Sequence, residues 1–354
     1  MRDLDHFTGC LLGGAIGDAL GAPVEFHSLQ AIRRQLGPRG VTGYLERNAQ
    51  GQAEFTDDTQ MTLFTAEGLL DAAARAGQAD PAASVEAIYQ AYRRWLRTQY
   101  SEFPTADRPS SYLLRQPGLW KRRAPGNTCL SALSSGVMGS AAQPLNHSKG
   151  CGAVMRVAPV GLLFDAAQFG GAAFELGCAA GAITHGHPSG YLPAGFLAQV
   201  IAGLVGGQPL EDALHAALDL LAAQPHHAET TQAVRRALAA AQDPHTPPTA
   251  ETVERLGAGW VGEEALAISL YAALIGLRAG SFAEGVLLAV NHSGDCDSTA
   301  AITGNLLGLI LGKAAIPADW IEGIALRAVI EELATALLAA NKDPRVLSEK
   351  FIAA

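Results

Sequence analysis

The chain has 354 residues, with 25 Lys and Arg against 34 Asp and Glu, giving a formal net charge of −9. Only 17% of residues are charged and 49% are hydrophobic, which excludes a disordered acidic chain and leaves enough apolar material for a sizeable core. The acidic balance argues against nucleic-acid or anionic-membrane binding, which needs an excess of Lys and Arg, but a small anion held by metal ions and backbone N–H groups stays open.

The first apolar run predicts a helix over about 6–20. Gly9, Gly13, Gly17 and Gly21 recur every fourth residue, a smooth face that a second helix can approach closely. The spacing is no dinucleotide fingerprint, and no strand precedes it. Asp18 and Glu25 are the only acids between Gly9 and Phe26. Asp18 either bonds nearby backbone or acts chemically; Glu25 lies past the helix end, where a loop can present it to a site. Residues 21–57 read as a long ordered loop. It ends in Phe55-Thr56-Asp57-Asp58-Thr59, which opens a helix over 59–76. Helix capping accounts for Thr and Asp at such a position, yet two adjacent Asp between two Thr are denser in oxygen than a cap needs.

A helix over 81–99 leads into a second long loop, 101–127, basic at Lys121-Arg122-Arg123. After a helix over 128–140, the run Asn146-His147-Ser148-Lys149-Gly150-Cys151-Gly152 opens a helix over 151–164. Two glycines, a Ser and a Lys at a helix start make an anion cradle or simply a tight turn, and the P-loop pattern is missing. A helix over 170–183 ends at Thr184-His185-Gly186-His187. Histidines two apart do not share a helical face, so a zinc pair is not expected; either one binds a ligand or both are structural. Helices over 190–205, 210–223 and 228–242 follow. The uncharged stretch from Glu175 to Glu211 is broken by His185, His187, Pro188, Pro193 and Gln199, so it reads as buried helices rather than a membrane span.

Residues 243–250 are the best linker candidate, but the helices beyond (262–278, 281–291, 298–312, 318–326, 328–340) are as apolar as those before. The expectation is therefore one all-α, multi-helix domain over 1–354. The helix over 298–312 opens with Asn291-His292-Ser293-Gly294-Asp295-Cys296-Asp297-Ser298-Thr299. This is no EF-hand loop, because apolar residues follow and no closing Glu exists. Alone it is a cap after a turn. Together with Asp57 and Asp58 it supplies four carboxylates, which repel one another unless cations neutralise them. Oxygen-only ligands select hard ions: Mg²⁺, with Mn²⁺ as the alternative. Five cysteines without a C-x-x-C, and Asp3 and Asp5 before any apolar run, point to a reducing cytoplasm and no secretory signal. No Gly-x-Ser-x-Gly elbow or Cys-His-Asn set supports a nucleophilic triad.

The ordered motifs GCLLGGAIGDALGAPVEF, FTDDTQMTL, SKGCGAVMRVAPVGLLF, ITHGHPSGYLPAGFLAQVIAGL, WVGEEALAISLYAAL and NHSGDCDSTAAITGNLLGLILG span nearly the whole chain. In them the sequence resembles the ADP-ribosylglycohydrolase family. The resemblance implies an all-α fold and two divalent ions held by Thr56, Asp57, Asp58, Asp295, Asp297 and Ser298, the last standing where the family usually has Thr. It implies a diphosphate loop at Ser148, Lys149, Gly150, Cys151 and Gly152, with Lys149 adding charge and His185 in the segment that helps bind ADP-ribose. It places Glu25 beside the metals, and Glu25, Asp58 and Asp295 as the catalytic carboxylates. The expected function is metal-dependent cleavage at the anomeric carbon of an Arg- or Ser-linked ADP-ribosyl protein. The alternatives are hydrolysis of free O-acetyl-ADP-ribose or related small conjugates, and ADP-ribose binding without catalysis. Loop 101–127 is then the candidate for acceptor recognition, against a plain solvated surface for its basic trio.

Overall fold

The computed structural model describes residues 1–104, 110–347 and 349–353. Along the chain run α1 (Leu4–Gly21), α2 (Leu29–Leu36), α3 (Asp57–Ala76), α4 (Pro81–Tyr100), α5 (Asn127–Ser134), α6 (Ala158–Leu163), α7 (Ala166–Phe169), α8 (Ala172–Ala182) and α9 (Pro188–Val205). They are followed by α10 (Leu210–Ala222), α11 (Ala228–Gln242), α12 (Ala250–Glu254), α13 (Gly262–Ala279), α14 (Phe282–Val290), α15 (Cys296–Leu311), α16 (Ala318–Gly323) and α17 (Arg327–Lys342). Among the described residues no strand forms; isolated bridges join Ala53 to Ile324 and Gly150 to Val261. The chain is all-α, as its periodicity predicts. One apolar cluster reaches from Phe7 to Phe351 and takes in Ala241 and Val253 on either side of the 243–250 segment.

The pairing of α1 with α15 organises the molecule, and the four-residue glycine period is its cause. A Cβ added at Gly9, Gly13, Gly17 or Gly21 would lie 2.2, 2.3, 2.1 or 2.4 Å from the carbonyl oxygens of Gly308, Gly304, Ala300 and Cys296. The partner numbers fall as the glycine numbers rise, so the helices run antiparallel with backbones in contact. The C-terminal end of α1 is thereby pressed onto the N-terminus of α15. Among the described residues two segments, Leu4–Val24 and Pro188–Val205, are long and apolar enough to cross a membrane, but 89% of an 18-residue apolar window in each is buried inside the fold. Here they are core helices, α1 with its 3₁₀ extension and α9.

Several boundaries differ from the periodicity reading. The loop 21–57 contains α2, capped by Ser28 Oγ accepting from the Ala31 N–H and anchored by buried Leu29 and Ile32. Eight residues with two buried anchors carry too little pattern to stand out. The expected 128–140 helix stops at Ser134, because Ser135 Oγ donates to the Ala132 carbonyl and Gly136 turns left-handed at φ +75°. The expected 151–164 helix is split into a 3₁₀ stretch, Cys151–Arg156, and α6, whose Pro159 has no N–H to continue the ladder. The 318–326 helix ends at Gly323, before Leu326 at φ +55°. The short α7 and α12 have no counterpart in the sequence reading.

Candidate active site

The first cluster sits on the N-terminus of α3. Thr56, Asp57, Asp58 and Thr59 are all buried there. Asp18, reaching across from α1, accepts from the Thr56 N–H at 2.8 Å, the Thr59 N–H at 3.0 Å and the Thr59 hydroxyl at 2.6 Å. Thr56 Oγ1 accepts from the Asp58 N–H at 3.3 Å. The free donors of this helix end are thus met by Asp18, by Thr56 and, for the Asp57 N–H, by the Arg123 carbonyl at 2.9 Å, while Asp58 Oδ2 is buried with no hydrogen-bond partner. Capping therefore does not account for Asp58, since others already do that work. Burial pushes the Asp18 carboxyl up to about 6, against the pull of its hydrogen bonds from Thr59 and Thr56.

The second cluster sits on the N-terminus of α15. Asp295 and Asp297 each accept from the Ser298 N–H, at 3.3 and 3.0 Å. Gly294, at φ +148°, is forced: a Cβ there would lie 2.0 Å from the Ala258 carbonyl oxygen. Glu25, past the end of α1, brings a carboxylate oxygen into a triangle with Asp295 and Asp297 in which all three atoms lie within 4.8 Å of one another. The two clusters feel each other. Burial, then Asp18, Asp57 and Asp295, hold the Asp58 carboxyl well above the usual range, while the Ser298 hydroxyl pulls it down. Burial, then Asp58, Asp295 and Glu25, do the same to Asp297. Burial, then Asp18, raise Asp57, and burial, then Asp295 and Asp18, push Glu25 up to about 8. Among the described residues no Lys, Arg or His forms an ion pair with Glu25, Asp57, Asp58, Asp295 or Asp297. Five uncompensated carboxylates, one with an orphaned buried oxygen, fit a hard divalent cation.

The loop Ser148–Gly152 lies beside them. The Cys151 N–H donates to the Trp260 carbonyl at 3.2 Å, and the Gly262 N–H to the Lys149 carbonyl at 2.8 Å. The Cys151 thiol donates to Asp295 Oδ2 at 2.7 Å and lies 3.6 Å from Ser298 Oγ, tying the loop to the second cluster. Burial, then Asp295 and Asp58, push that thiol well up, so it is a thiol and not a nucleophilic thiolate. Ser148 Oγ accepts from the Gly150 N–H at 3.3 Å and meets Thr128 Oγ1 at 3.0 Å. Lys149 differs from the expectation of a free charge on the loop: its ammonium is bound by Glu263 at 2.8 Å and Glu229 at 3.2 Å. His185 is buried against the loop, with Nε2 3.2 Å from where a Cβ on Gly152 would sit. His187 is a cap, its Nδ1 accepting from the Ser189 N–H at 3.1 Å.

Sequence reasoning missed two features here. Phe26 and Trp260 stack with centroids 5.5 Å apart, and both rings are exposed, at 77% and 41%. Phe26 follows Glu25 in the chain, and Trp260 is the residue whose carbonyl takes the Cys151 N–H. A Phe directly after the loop acid Glu25 is the one hint the sequence carries. The basic trio also divides. Arg123 is buried and donates to the Phe55 and Gly118 carbonyls, bracing the first cluster. Arg122 lies over the Tyr100 ring and lines an open cleft of about 440 Å³ with Asn127, Thr128, Asn146 and Ser148. Residues 105–109 of the 101–127 loop lie outside the described residues.

Among the described residues the Asp18 carboxylate hydrogen-bonds only to Thr56 and Thr59, so it is a positioning residue. Asp18→Ala is expected to weaken Mn²⁺ binding by roughly 10–100-fold, the usual cost of losing a group that orients ligands. Calorimetric titration checks this; unchanged affinity would show that α3 holds its start without Asp18.

The sequence profile of the ADP-ribosylglycohydrolase family matches residues 1–346. A protein of Archaeoglobus fulgidus is 30% identical over 343 residues, covering 94% of this chain and 96% of its own length. The ADP-ribosylarginine hydrolase Tri1 of Pseudomonas putida is 27% identical over 349 residues, 97% of this chain and 80% of that protein. The ADP-ribosyl-[dinitrogen reductase] glycohydrolase of Rhodospirillum rubrum is 27% identical over 330 residues, 91% of each. A solved ADP-ribosylglycohydrolase-related protein complex superposes with a TM-score of 0.63 at 26% identity, over 96% of this chain and 98% of that one.

Proposed function

The chain belongs to the ADP-ribosylglycohydrolase family, and from that premise we propose that it is a metal-dependent hydrolase of ADP-ribose conjugates. It cleaves the bond at the anomeric carbon, with an Arg-linked ADP-ribosyl protein as the first candidate substrate, because one relative is named an ADP-ribosylarginine hydrolase and another a glycohydrolase of an ADP-ribosylated protein. The observation that carries the reading is the triangle of Glu25, Asp295 and Asp297 beside the glycine loop, with buried Asp58, its Oδ2 unpartnered, close enough for Asp295 to disfavour its charge.

Thr56, Asp57, Asp58, Asp295, Asp297 and Ser298 would hold two divalent ions, Mg²⁺ or Mn²⁺. Bound there, the ions supply Lewis acidity toward ribose hydroxyls and a water. The protein's own groups do the rest. In the Ser148–Gly152 loop the Ser148, Gly150 and Cys151 N–H groups are taken by Asn146 Oδ1, Ser148 Oγ and the Trp260 carbonyl, so the Lys149 and Gly152 N–H groups are the ones that would receive the diphosphate, which needs no free Lys side chain. Glu25, Asp58 and Asp295 stabilise positive charge at the anomeric carbon and move the proton. In the balanced step the carbon–nitrogen bond to the acceptor breaks, the water oxygen takes its place, and the water proton ends on the leaving group. The Arg122 cleft beside Ser148 is the proposed contact for the acceptor.

Incubation with Arg-linked and Ser-linked ADP-ribosyl peptides, and with O-acetyl-ADP-ribose, is expected to release free ADP-ribose from the Arg-linked peptide in Mg²⁺ or Mn²⁺ and to stop in EDTA. Release of AMP would show diphosphate cleavage instead. Undiminished turnover in EDTA would remove the metals from the reaction.

A further inference from the structure

Arg156 is a fully buried guanidinium without a carboxylate partner among the described ion pairs. Its Nη1 faces Cys129 Sγ at 3.3 Å and Met61 Sδ at 3.4 Å, its plane lies 4.2 Å from the Tyr92 ring centroid, and Nε has no partner. Burying a permanent charge this way is costly, so where its shortest hydrogen bond goes matters; a longer one runs from Nη2 to the Ala180 carbonyl at 3.3 Å. Nη2 donates to Thr184 Oγ1 at 2.8 Å. Thr184 Oγ1 in turn lies 2.9 Å from His185 Nδ1.

The direction of that second bond follows from donor counting. A guanidinium only donates, so Arg156 occupies a lone pair of the Thr184 oxygen. The hydroxyl hydrogen then needs an acceptor. The Cys129 sulfur is within reach but is a weak acceptor already facing Arg156, whereas an imidazole nitrogen is a strong one. The hydroxyl therefore donates to Nδ1. Burial, then Arg156, hold the His185 pKa down to about 3, so the ring is neutral and carries a single proton. With Nδ1 accepting, that proton is on Nε2. Nε2 faces the glycine loop, 3.4 and 3.2 Å from where Cβ atoms on Gly150 and Gly152 would sit.

We propose that Arg156 and Thr184 are positioning residues that lock His185 in its Nε2–H form, so that it presents one fixed N–H donor to an oxygen of the diphosphate held by the Ser148–Gly152 loop. A histidine free to change tautomer would offer the ligand a lone pair, repelling the same oxygen, for part of the time. The ligand half of this inference rests on the proposed function, while the tautomer half does not.

The experiment uses the full chain with ¹⁵N-labelled histidine, His185 being identified by the His185→Gln spectrum. Long-range ¹H–¹⁵N correlation at neutral pH is expected to show a protonated Nε2 and an unprotonated Nδ1. In Thr184→Val the pattern becomes mixed or reverses, and ADP-ribose affinity falls about tenfold. Thr184→Ser keeps both as in the wild type, which a role in packing alone would not produce. A wild-type Nδ1–H, or a Thr184→Val protein with unchanged tautomer and affinity, overturns the proposal. A wild type with the expected tautomer but no affinity for ADP-ribose overturns the ligand half and the function above, leaving the lock itself standing.

Discussion

Asp58→Asn lowers turnover by at least about a hundredfold, since even residues that only orient metal ligands cost 10–100-fold, and it raises the melting temperature of the metal-free protein. The two effects have one cause. Asp58 is buried, its Oδ2 has no partner, and burial, Asp18, Asp57 and Asp295 all disfavour its charge. In the unfolded chain the same carboxyl titrates near about 3.9. Between that value and its raised folded value the folded state binds more protons, so stability is complete below the unfolded pKa and is lost as pH rises toward the folded one. Asp297 and Asp57 act in the same direction. Metal-free wild type is therefore expected to melt at progressively lower temperature as pH rises from about 4 to 7. Asp58→Asn flattens that slope, with each kcal/mol recovered appearing as about 1–2 °C for a chain of this length. Mg²⁺ or Mn²⁺ should stabilise the wild type and have much less effect on the variant. Scanning calorimetry with and without metal, beside an assay of turnover, decides it. A variant with wild-type activity, or one that melts below the metal-free wild type at neutral pH, would remove Asp58 from the ligand set.

Gly304→Ala is expected to cost at least about 3 kcal/mol, the upper end for overpacking. The added Cβ would lie 2.0 Å from the Gly13 carbonyl oxygen and 2.5 Å from its carbon. Both are backbone atoms inside a helix, so no side chain can swing away and α15 must retreat from α1. That retreat also carries Asp295 and Asp297 away from Glu25, so the molecules that still fold should turn over more slowly. Gly308→Ala, 1.9 Å from the Gly9 oxygen, should behave alike. Gly43→Ala is the control: its nearest neighbour is Trp320 Nε1 at 3.8 Å, and stability should stay within about 0.5 kcal/mol. Denaturant unfolding of the three variants tests this. A Gly304→Ala protein as stable as Gly43→Ala would mean that α1 and α15 do not touch as closely as described.

Much of the helical architecture was legible because it is local. Periodicity over 11 or more residues marks α3, α4, α9, α13 and α17, and Thr56 and Ser28 show what a cap requires from its own neighbours. Where two local codes competed, the boundary moved. Pro159 split one expected helix, and the Ser135 hydroxyl with Gly136 shortened another. The α2 helix was hidden because its evidence is tertiary: Leu29 and Ile32 are buried, and the Leu29 N–H is taken by Ser293 Oγ from far along the chain.

For the site, residue types and spacing were enough to single out Asp57, Asp58, Asp295 and Asp297 as more than caps, and the glycine period announced a close helix contact. Which role each polar group takes is a matter of partners distant in sequence. Asp18 caps α3 from another helix and so frees Asp58. Lys149 is claimed by Glu263 and Glu229, and Arg156 reaches His185 through Thr184. Local sequence dictates which groups a helix start can offer, because capping and periodicity act within a turn. Only the antiparallel contact of α1 with α15 brings Glu25 to Asp295 and Asp297, because backbones separated by hundreds of residues must touch before their carboxylates can share an ion.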